Sequence, residues 1–330
     1  MGSGKPEKAY GCNKSKILVI GDIMLDQYLA GRSERLCPEA PAPVVIVEDE
    51  KWFLGGAGNV ASNIRAIGGQ VLLAGVVGRD EEGQWIQKNL KSRDIPLVMG
   101  VDASRPTTVK KRIMIGDRLI ARIDREVCAD ISDGVFQDIV RIVAAMQDIA
   151  LVIVSDYGKG VVTRGLMEEV INLCSYRGIP VYVDPKGQDY GKYRGADVIK
   201  PNFPAFEAFY GHSINSIEEM QKAGLRIFET VGCKACIVTW EANGAILISS
   251  PGQWRHFPGS GKTGTPFVSG AGDAFMAALA MGRLMGLPLE SACNLANSMA
   301  SGVVGEMGTI VMKREKWDEM LGVILLGGPF

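Results

Sequence analysis

Near its C-terminal end the chain reads Val268-Ser269-Gly270-Ala271-Gly272-Asp273-Ala274-Phe275 and then runs into a helical pattern. Small residues and a lone carboxylate therefore meet where a helix begins. A helix N-terminus presents unpaired backbone N–H groups and a partial positive charge, so it attracts phosphate. Gly270 and Gly272 let that backbone approach an anion closely, and Asp273 can take a proton from an attacking hydroxyl. The chemistry this suits is phosphoryl transfer to an alcohol, although glycine before a helix is also an ordinary cap.

Other polar residues gather at the ends of apolar runs, where a parallel sheet would bring them together. Asp22 and Asp26 follow the run Lys16–Ile20 and suit sugar hydroxyls, which donate charge-assisted hydrogen bonds to carboxylates. A turn with a helix cap is the plain alternative. Ser155-Asp156-Tyr157-Gly158-Lys159-Gly160 and Asp184-Pro185-Lys186-Gly187 end two further runs, with Lys186 suited to a phosphate. Lys200-Pro201-Asn202 ends another and is followed by Glu207. Asn202 and Glu207 are oxygen ligands suited to organising Mg2+, directly or through water. Each segment alone would pass as a turn; their shared place at strand ends favours function.

Gly55-Gly56-Ala57-Gly58-Asn59-Val60-Ala61 imitates a dinucleotide fingerprint, which should follow the first strand directly. The first strand here is at 16–21, so the cluster is expected instead to be a backbone platform for a polyol, with Asn59 offering its amide. Gly261-Lys262-Thr263 imitates the end of a phosphate-binding P-loop, but His256 stands where the first glycine belongs and Pro266 interrupts any helix. Lys110, Lys111 and Arg112, with Arg118 and Arg122, give a basic stretch that is either a solvated face or a grip on an anionic substrate such as a phosphorylated sugar. His212 and His256 are the only histidines, too few for a zinc site or a serine triad.

With 330 residues, 47% hydrophobic and 22% charged, the chain can bury the large core of a soluble enzyme. Its net charge of −1 gives no reason to expect a nucleic-acid partner. No apolar run is long enough to span a bilayer and no signal-peptide pattern opens the chain, so a cytoplasmic protein without a membrane partner is expected. Met1-Gly2 has the start of a myristoylation motif, but Pro6 stands where Ser or Thr is wanted, and residues 1–15 are expected to be a flexible leader. The odd count of 7 cysteines predicts reduced thiols; Cys233 and Cys236 have redox spacing but no second pair.

Apolar runs at Lys16–Gly21, Val71–Val77, Leu151–Ser155, Val181–Asp184, Asp197–Lys200, Ala235–Thr239 and Ala245–Ile248 alternate with helical patterns such as Asn59–Ile67, Glu81–Lys91, Val135–Met146 and Leu166–Tyr176. This predicts an α/β fold, a doubly wound and mostly parallel sheet covered on both faces. Pro43–Glu48, Thr107–Ile115 and Leu119–Asp124 read as strands without helices beside them. They predict a small β-strand lid, from insertions near 31–54 and 103–125 of one domain spanning 16–330. Lid strands pairing between two subunits would make a homodimer. From Asp273 to Gly305 the chain predicts two closely packed Ala-rich helices.

Taken together these segments resemble the ribokinase-like (PfkB) carbohydrate kinases from about Lys16 to Thr309. Gly55–Asn59, Val77-Gly78-Arg79-Asp80, Lys200-Pro201-Asn202 with Glu207, and Gly270–Asp273 occur in that family's order. Within it, Gly21–Asp26, Pro38-Glu39-Ala40-Pro41-Ala42-Pro43-Val44, Ser155–Gly160, Asp184–Gly187, Tyr193-Arg194-Gly195-Ala196 and Gly305-Glu306-Met307-Gly308-Thr309 are similar to the D-glycero-D-manno-heptose-7-phosphate kinases.

The resemblance implies a ribokinase-like fold and an ATP- and Mg2+-dependent kinase acting on the anomeric hydroxyl of a heptose 7-phosphate, for lipopolysaccharide core synthesis. Asp273 would be the general base and Gly270, Ala271 and Gly272 the anion hole. Asp22, Asp26, Gly55, Gly56 and Asn59 would hold the sugar, with Lys110, Arg112, Asp156 and Lys186 towards the sugar or its phosphate. Asn202 and Glu207 would organise Mg2+ with ATP, while Thr239, Gly244 and Asn297 line the nucleotide side. Phe267 stands where the family usually has an acid that supports a monovalent-cation site, which speaks against potassium activation. Neither histidine lies in the His-x-Gly-His motif of the adenylyltransferase domain fused to many such kinases, so a stand-alone kinase or a kinase half is expected. The alternatives are a kinase for another sugar or sugar phosphate, a catalytically silent binding regulator and, weakest, a dehydrogenase.

Overall fold

In the computed structural model, residues 16–98, 100–250, 252–259, 269–305 and 308–326 are described. Strand Lys16–Gly21 (β1) passes through Asp22 directly into Ile23–Leu36 (β2), which returns as Pro43–Gly56 (β3). Helix Ala57–Ala66 (α1), strand Gln70–Ala74 (β4) and helix Glu81–Ser92 (α2) follow. The hairpin Thr108–Ile115 (β5) and Arg118–Arg125 (β6) precedes Asp133–Ala145 (α3), Ile149–Ser155 (β7), Arg164–Arg177 (α4), Val181–Asp184 (β8) and Val198–Ile199 (β9). Then come Phe203–Tyr210 (α5), Ile217–Val231 (α6), Ala235–Thr239 (β10), Ala245–Ser250 (β11) and Gln253–Phe257 (β12). Helices Ala271–Leu284 (α7), Leu289–Ser301 (α8) and Arg314–Leu325 (α9) close the described chain.

The larger sheet has the order β12-β11-β10-β9-β8-β7-β1-β4. It is parallel from β4 to β10, and β11 and β12 extend it antiparallel. Alternate side chains of β1 enter opposite cores: Ile17 and Val19 join α1, α7 and α8, while Leu18 and Ile20 join α3, α4 and α6. Burial on both faces explains why the central strands are almost continuously apolar. This is the doubly wound α/β architecture that the alternating runs predict. Helix α7 is buried from Asp273 to Gly282, and its Gly and Ala residues allow close approach to α8, where a methyl on Gly282 would lie 3.3 Å from Ala292 Cβ.

The lid is a second sheet of order β3-β2-β5-β6. Its first arm begins at Ile23 rather than near 31, because the ladder to β3 already starts at Ile23↔Gly56. The register Asp26↔Lys110↔Asp124 and Tyr28↔Arg112↔Arg122 puts these six residues on one face. The six described cysteines are free thiols, and burial pushes the Cys233 thiol up to about 12, away from redox chemistry. Among the described residues no helix is long and apolar enough to cross a membrane.

Candidate active site

Gly270 caps α7 in a left-handed conformation, φ 88°, and a methyl there would stand 2.7 Å from Asn59 Nδ2. Both the backbone and the space therefore select glycine. One turn on, Asp273 is 2% exposed. Its Oδ2 accepts from Asn59 Nδ2 at 2.8 Å and its Oδ1 from the Tyr157 hydroxyl at 2.8 Å. Burial pushes its carboxyl up to about 7; the two donors and Lys200 pull down, and Asp184 adds to the rise. A carboxylate poised near neutrality at a helix N-terminus is suited to taking a proton there.

Asn59 is itself held. Asn63, one turn along α1, donates to Asn59 Oδ1 at 3.1 Å and accepts from the Met312 N–H at 2.9 Å. This turns the Asn59 amide nitrogen towards Asp273. Tyr157 and Asn63 are site residues that the sequence did not single out, because their role depends only on what they touch.

A buried cation sits on the other side of the α7 start. Lys200, at the end of β9, pairs with Asp184, at the end of β8, at 2.8 Å, with side chains 2% and 21% exposed. A methyl on Gly272 would lie 3.6 Å from Lys200 Nζ and 3.8 Å from Asp184 Oδ2. Burial raises the Asp184 carboxyl against the pull of Lys200. Within the two segments quoted from the sequence, Lys186 and Asn202 looked like the functional members, yet Lys186 is exposed beside Gly158.

Asp22 and Asp156 shape the loop after β7. The Asp22 carboxylate accepts from the backbone N–H groups of Tyr157 at 2.8 Å, Lys159 at 3.0 Å and Val161 at 3.1 Å. Asp156 accepts from Gly158 N–H at 2.7 Å, the Tyr193 hydroxyl at 2.6 Å and Lys192 at 2.5 Å. Both carboxylates are thus engaged by protein donors. Replacing Asp22 with Ala leaves three amides without their acceptor and is expected to cost about 2–4 kcal/mol of stability, with Asn losing less. Urea unfolding of the two variants checks this; equal, negligible losses would mean that the loop holds without the carboxylate.

Above the loop, the lid brings its cations to the site. Arg112 pairs with Asp26 and lies over the Tyr28 ring at 5.0 Å, while Lys110 lies over the Tyr157 ring at 5.5 Å. Burial lowers the Lys110 pKa; Arg122 and Lys159 also lower it, and Asp26 and Asp124 oppose them. Lys110 is thus a half-buried cation with charges of both signs around it, Asp26 acting most strongly among them. Gly55 and Gly56 pass under Asp26 and Asp22, where a methyl would come within 2.4 Å of Asp26 Oδ2 and 2.3 Å of the Asp22 carbonyl oxygen respectively.

On the remaining side, Asn202 bridges to Thr239 across β9 and β10. Gly244, φ 93°, packs against Phe257–Gly259, and Asn297 donates to the Pro258 carbonyl at 2.8 Å. These four positions therefore lie along one edge. Asn202 Oδ1 caps α5 by accepting from Ala205 N–H at 2.9 Å, whereas Glu207 accepts from Ile214 N–H at 2.8 Å beyond the end of that helix. Each of the two thus has one side-chain oxygen engaged by a backbone donor. The α7 start does fit a nucleotide's phosphates, since Gly272 leaves room beside Lys200 that a side chain would fill. Phe267 and the Gly261–Thr263 segment lie outside the described residues.

The family model described as pfkB family carbohydrate kinase matches residues 14–316. The chain is 43% identical over 295 residues to the bifunctional protein HldE of Geobacter sulfurreducens, covering 88% of this chain and 60% of that protein. It is 39% identical over 298 residues to the bifunctional protein HldE of Helicobacter hepaticus, covering 90% and 61%. The chain thus spans about three fifths of the length of these relatives. Among solved structures, Escherichia coli phosphofructokinase-2 in complex with substrates and products superposes with TM-score 0.79 at 16% identity, covering 94% of this chain and 99% of that one. Arabidopsis thaliana ribokinase complexed with ribose and ATP gives 0.72 at 18%, covering 93% and 98%. At such identities these two structures establish the ribokinase-like fold.

Proposed function

The chain belongs to the pfkB family of carbohydrate kinases, and from that premise we propose that it phosphorylates the anomeric hydroxyl of D-glycero-D-manno-heptose 7-phosphate, giving the 1,7-bisphosphate for ADP-heptose and lipopolysaccharide core synthesis. The observation that carries the reading is the pair of groups on either side of Tyr157. A near-neutral carboxyl, Asp273, stands at a helix N-terminus, and one tyrosine ring away lies the half-buried lid cation Lys110. That arrangement suits an acceptor with a hydroxyl at one end and a phosphate at the other. The resemblance to heptose-phosphate kinases and the likeness to the HldE proteins support the choice of sugar.

In this reading the acceptor hydroxyl lies against Asp273 and the γ-phosphoryl group of ATP against the N–H groups of Gly270–Gly272. The hydroxyl oxygen forms a bond to phosphorus as the bond to ADP breaks, and Asp273 takes the proton. Phosphoryl transfer depends mainly on alignment and charge neutralisation, which the α7 N-terminus and Lys200 supply. Magnesium would arrive on the nucleotide's phosphates, and no step is assigned to Asn202 or Glu207 through it. Lid closure keeps out water, a competing acceptor. The reading places the enzyme in the cytoplasm, where ATP is, as a homodimer through the lid strands, whose outer strand β6 exposes Leu119, Ile120 and Ile123.

ADP release measured over sugars and sugar phosphates, with both anomers of heptose 7-phosphate included, tests the proposal. The heptose phosphate is expected to give the highest kcat/KM. A better rate with another sugar phosphate would transfer the assignment to that compound, and no rate with any would favour a silent regulator. Lys110→Glu is expected to raise KM for the phosphorylated sugar by about tenfold or more, the loss of one charge-assisted contact, while the unphosphorylated analogue changes little. Equal changes would reduce the lid cations to a solvated face.

A further inference from the structure

We propose that Tyr157 is a positioning residue for the transfer: its hydroxyl, donated to Asp273 Oδ1, fixes the plane of the base's carboxylate, and its ring beneath Lys110 ties that plane to the lid. The inference rests on the kinase reading above and adds a residue to it.

The tyrosine's own place is fixed first. Its backbone N–H, with those of Lys159 and Val161, is held by the buried carboxylate of Asp22, so the loop after β7 delivers the phenol to one position. The hydroxyl donates there whenever Asp273 is ionised, because a carboxylate offers only acceptors. It also stays protonated: burial, together with the negative charges of Asp273, Asp184 and Asp26, holds the phenol well above its ordinary range. Tyr157 is therefore a fixed donor and not a rival base.

Two donors then act on two different oxygens. Asn59 holds Oδ2 and Tyr157 holds Oδ1, so rotating the carboxylate breaks one bond or the other. Each oxygen keeps a further lone pair for the acceptor hydroxyl. Both bonds also favour the ionised form against burial. The other charged groups facing Asp273 are Asp184 and Lys200, from the ends of β8 and β9. Those facing Tyr157 are Lys110 on β5, Asp184 at the end of β8 and Asp26 on β2. The phenol is the side chain that touches both the base and a lid cation, so lid and base are mechanically joined through it.

Tyr157→Phe keeps the ring under Lys110 and removes only the donor. The acid limb of the kcat–pH profile is expected to move up by about one unit, and kcat at pH 7 to fall about fivefold, with KM for the sugar phosphate nearly unchanged. Tyr157→Leu removes the ring as well and should raise that KM in addition. A raised KM in Tyr157→Phe with an unmoved acid limb would overturn the proposal, leaving Tyr157 as a wall of the sugar pocket. A second readout needs no turnover: 13C NMR titration of the Asp273 carboxyl in the ligand-free protein. An upward shift in Tyr157→Phe upholds the clamp, and no shift overturns it. Absence of transfer to any sugar phosphate by the unmodified protein would instead count against the kinase reading.

Discussion

Asp273→Asn is expected to lower kcat by about 10^3-fold, within the range that general bases supply, and at the same time to make the protein more stable at pH 8. Both effects come from one carboxyl. It titrates near 7 in the folded chain against a reference of 3.8, so the unfolded chain gives up this proton first. The contribution of its protonation to stability is complete below the unfolded value. It is lost as pH rises through 7 and amounts to about 4 kcal/mol in total. Asparagine does not titrate and escapes that loss. Thermal unfolding should therefore show the variant ahead by several degrees at pH 8, with the lead gone at pH 4. An inactive variant with no such pH-dependent lead would mean that Asp273 is not held near neutrality, and near-normal turnover would remove it as the base.

Lys200→Ala is expected to be nearly as damaging, for a different reason. It strips Asp184 of its partner and removes the cation beside Gly272. Because Asp184 keeps about a fifth of its side-chain surface in water, the expected loss is at the lower end for buried pairs, about 3 kcal/mol. Removing a fixed charge from the phosphoryl-transfer site should lower kcat by about 10^2-fold or more. A second variant separates these effects. Replacing both partners together, Lys200→Met with Asp184→Leu, should recover much of the stability without recovering turnover. Urea unfolding alongside single-turnover rates checks the pair. Recovery of both would make the ion pair a structural feature only.

Much of the sheet was legible because buried parallel strands leave a local trace. Val181–Asp184 and Ala235–Thr239 are strands with the bounds the apolar runs predict, and Glu81–Ser92 and Arg164–Arg177 extend their expected helices by one to three residues. Where the trace was absent the sequence was silent. Gln253–Phe257 buries only Phe257 and leaves its other four side chains exposed, so it becomes a strand by pairing with β11 at the sheet edge. Ile23–Leu36 follows a strand without a helix between them, and the sequence set Asp22 and Asp26 together at the end of that strand; the long ladder to β3 makes Asp26 a lid residue.

The sequence by itself determined which residue types are available: a carboxylate behind a glycine turn, cations on a pair of strands, and polar segments at strand ends. Those assignments rest on chain-local rules, helix starts and strand periods, which need no distant partner. Only the tertiary structure decided what each group does. Asn59 reaches Asp273 across 214 residues and Tyr157 reaches it across 116, separations at which no spacing in the chain carries information. Burial followed from the same assembly. It turned an ordinary carboxyl into one poised near neutrality, assigned Asp22 and Asp156 to backbone and side-chain donors of the protein, and set Lys200 beside the α7 start. Desolvation and hydrogen bonding act through the three-dimensional neighbourhood of a group, and that neighbourhood exists only once the chain has folded.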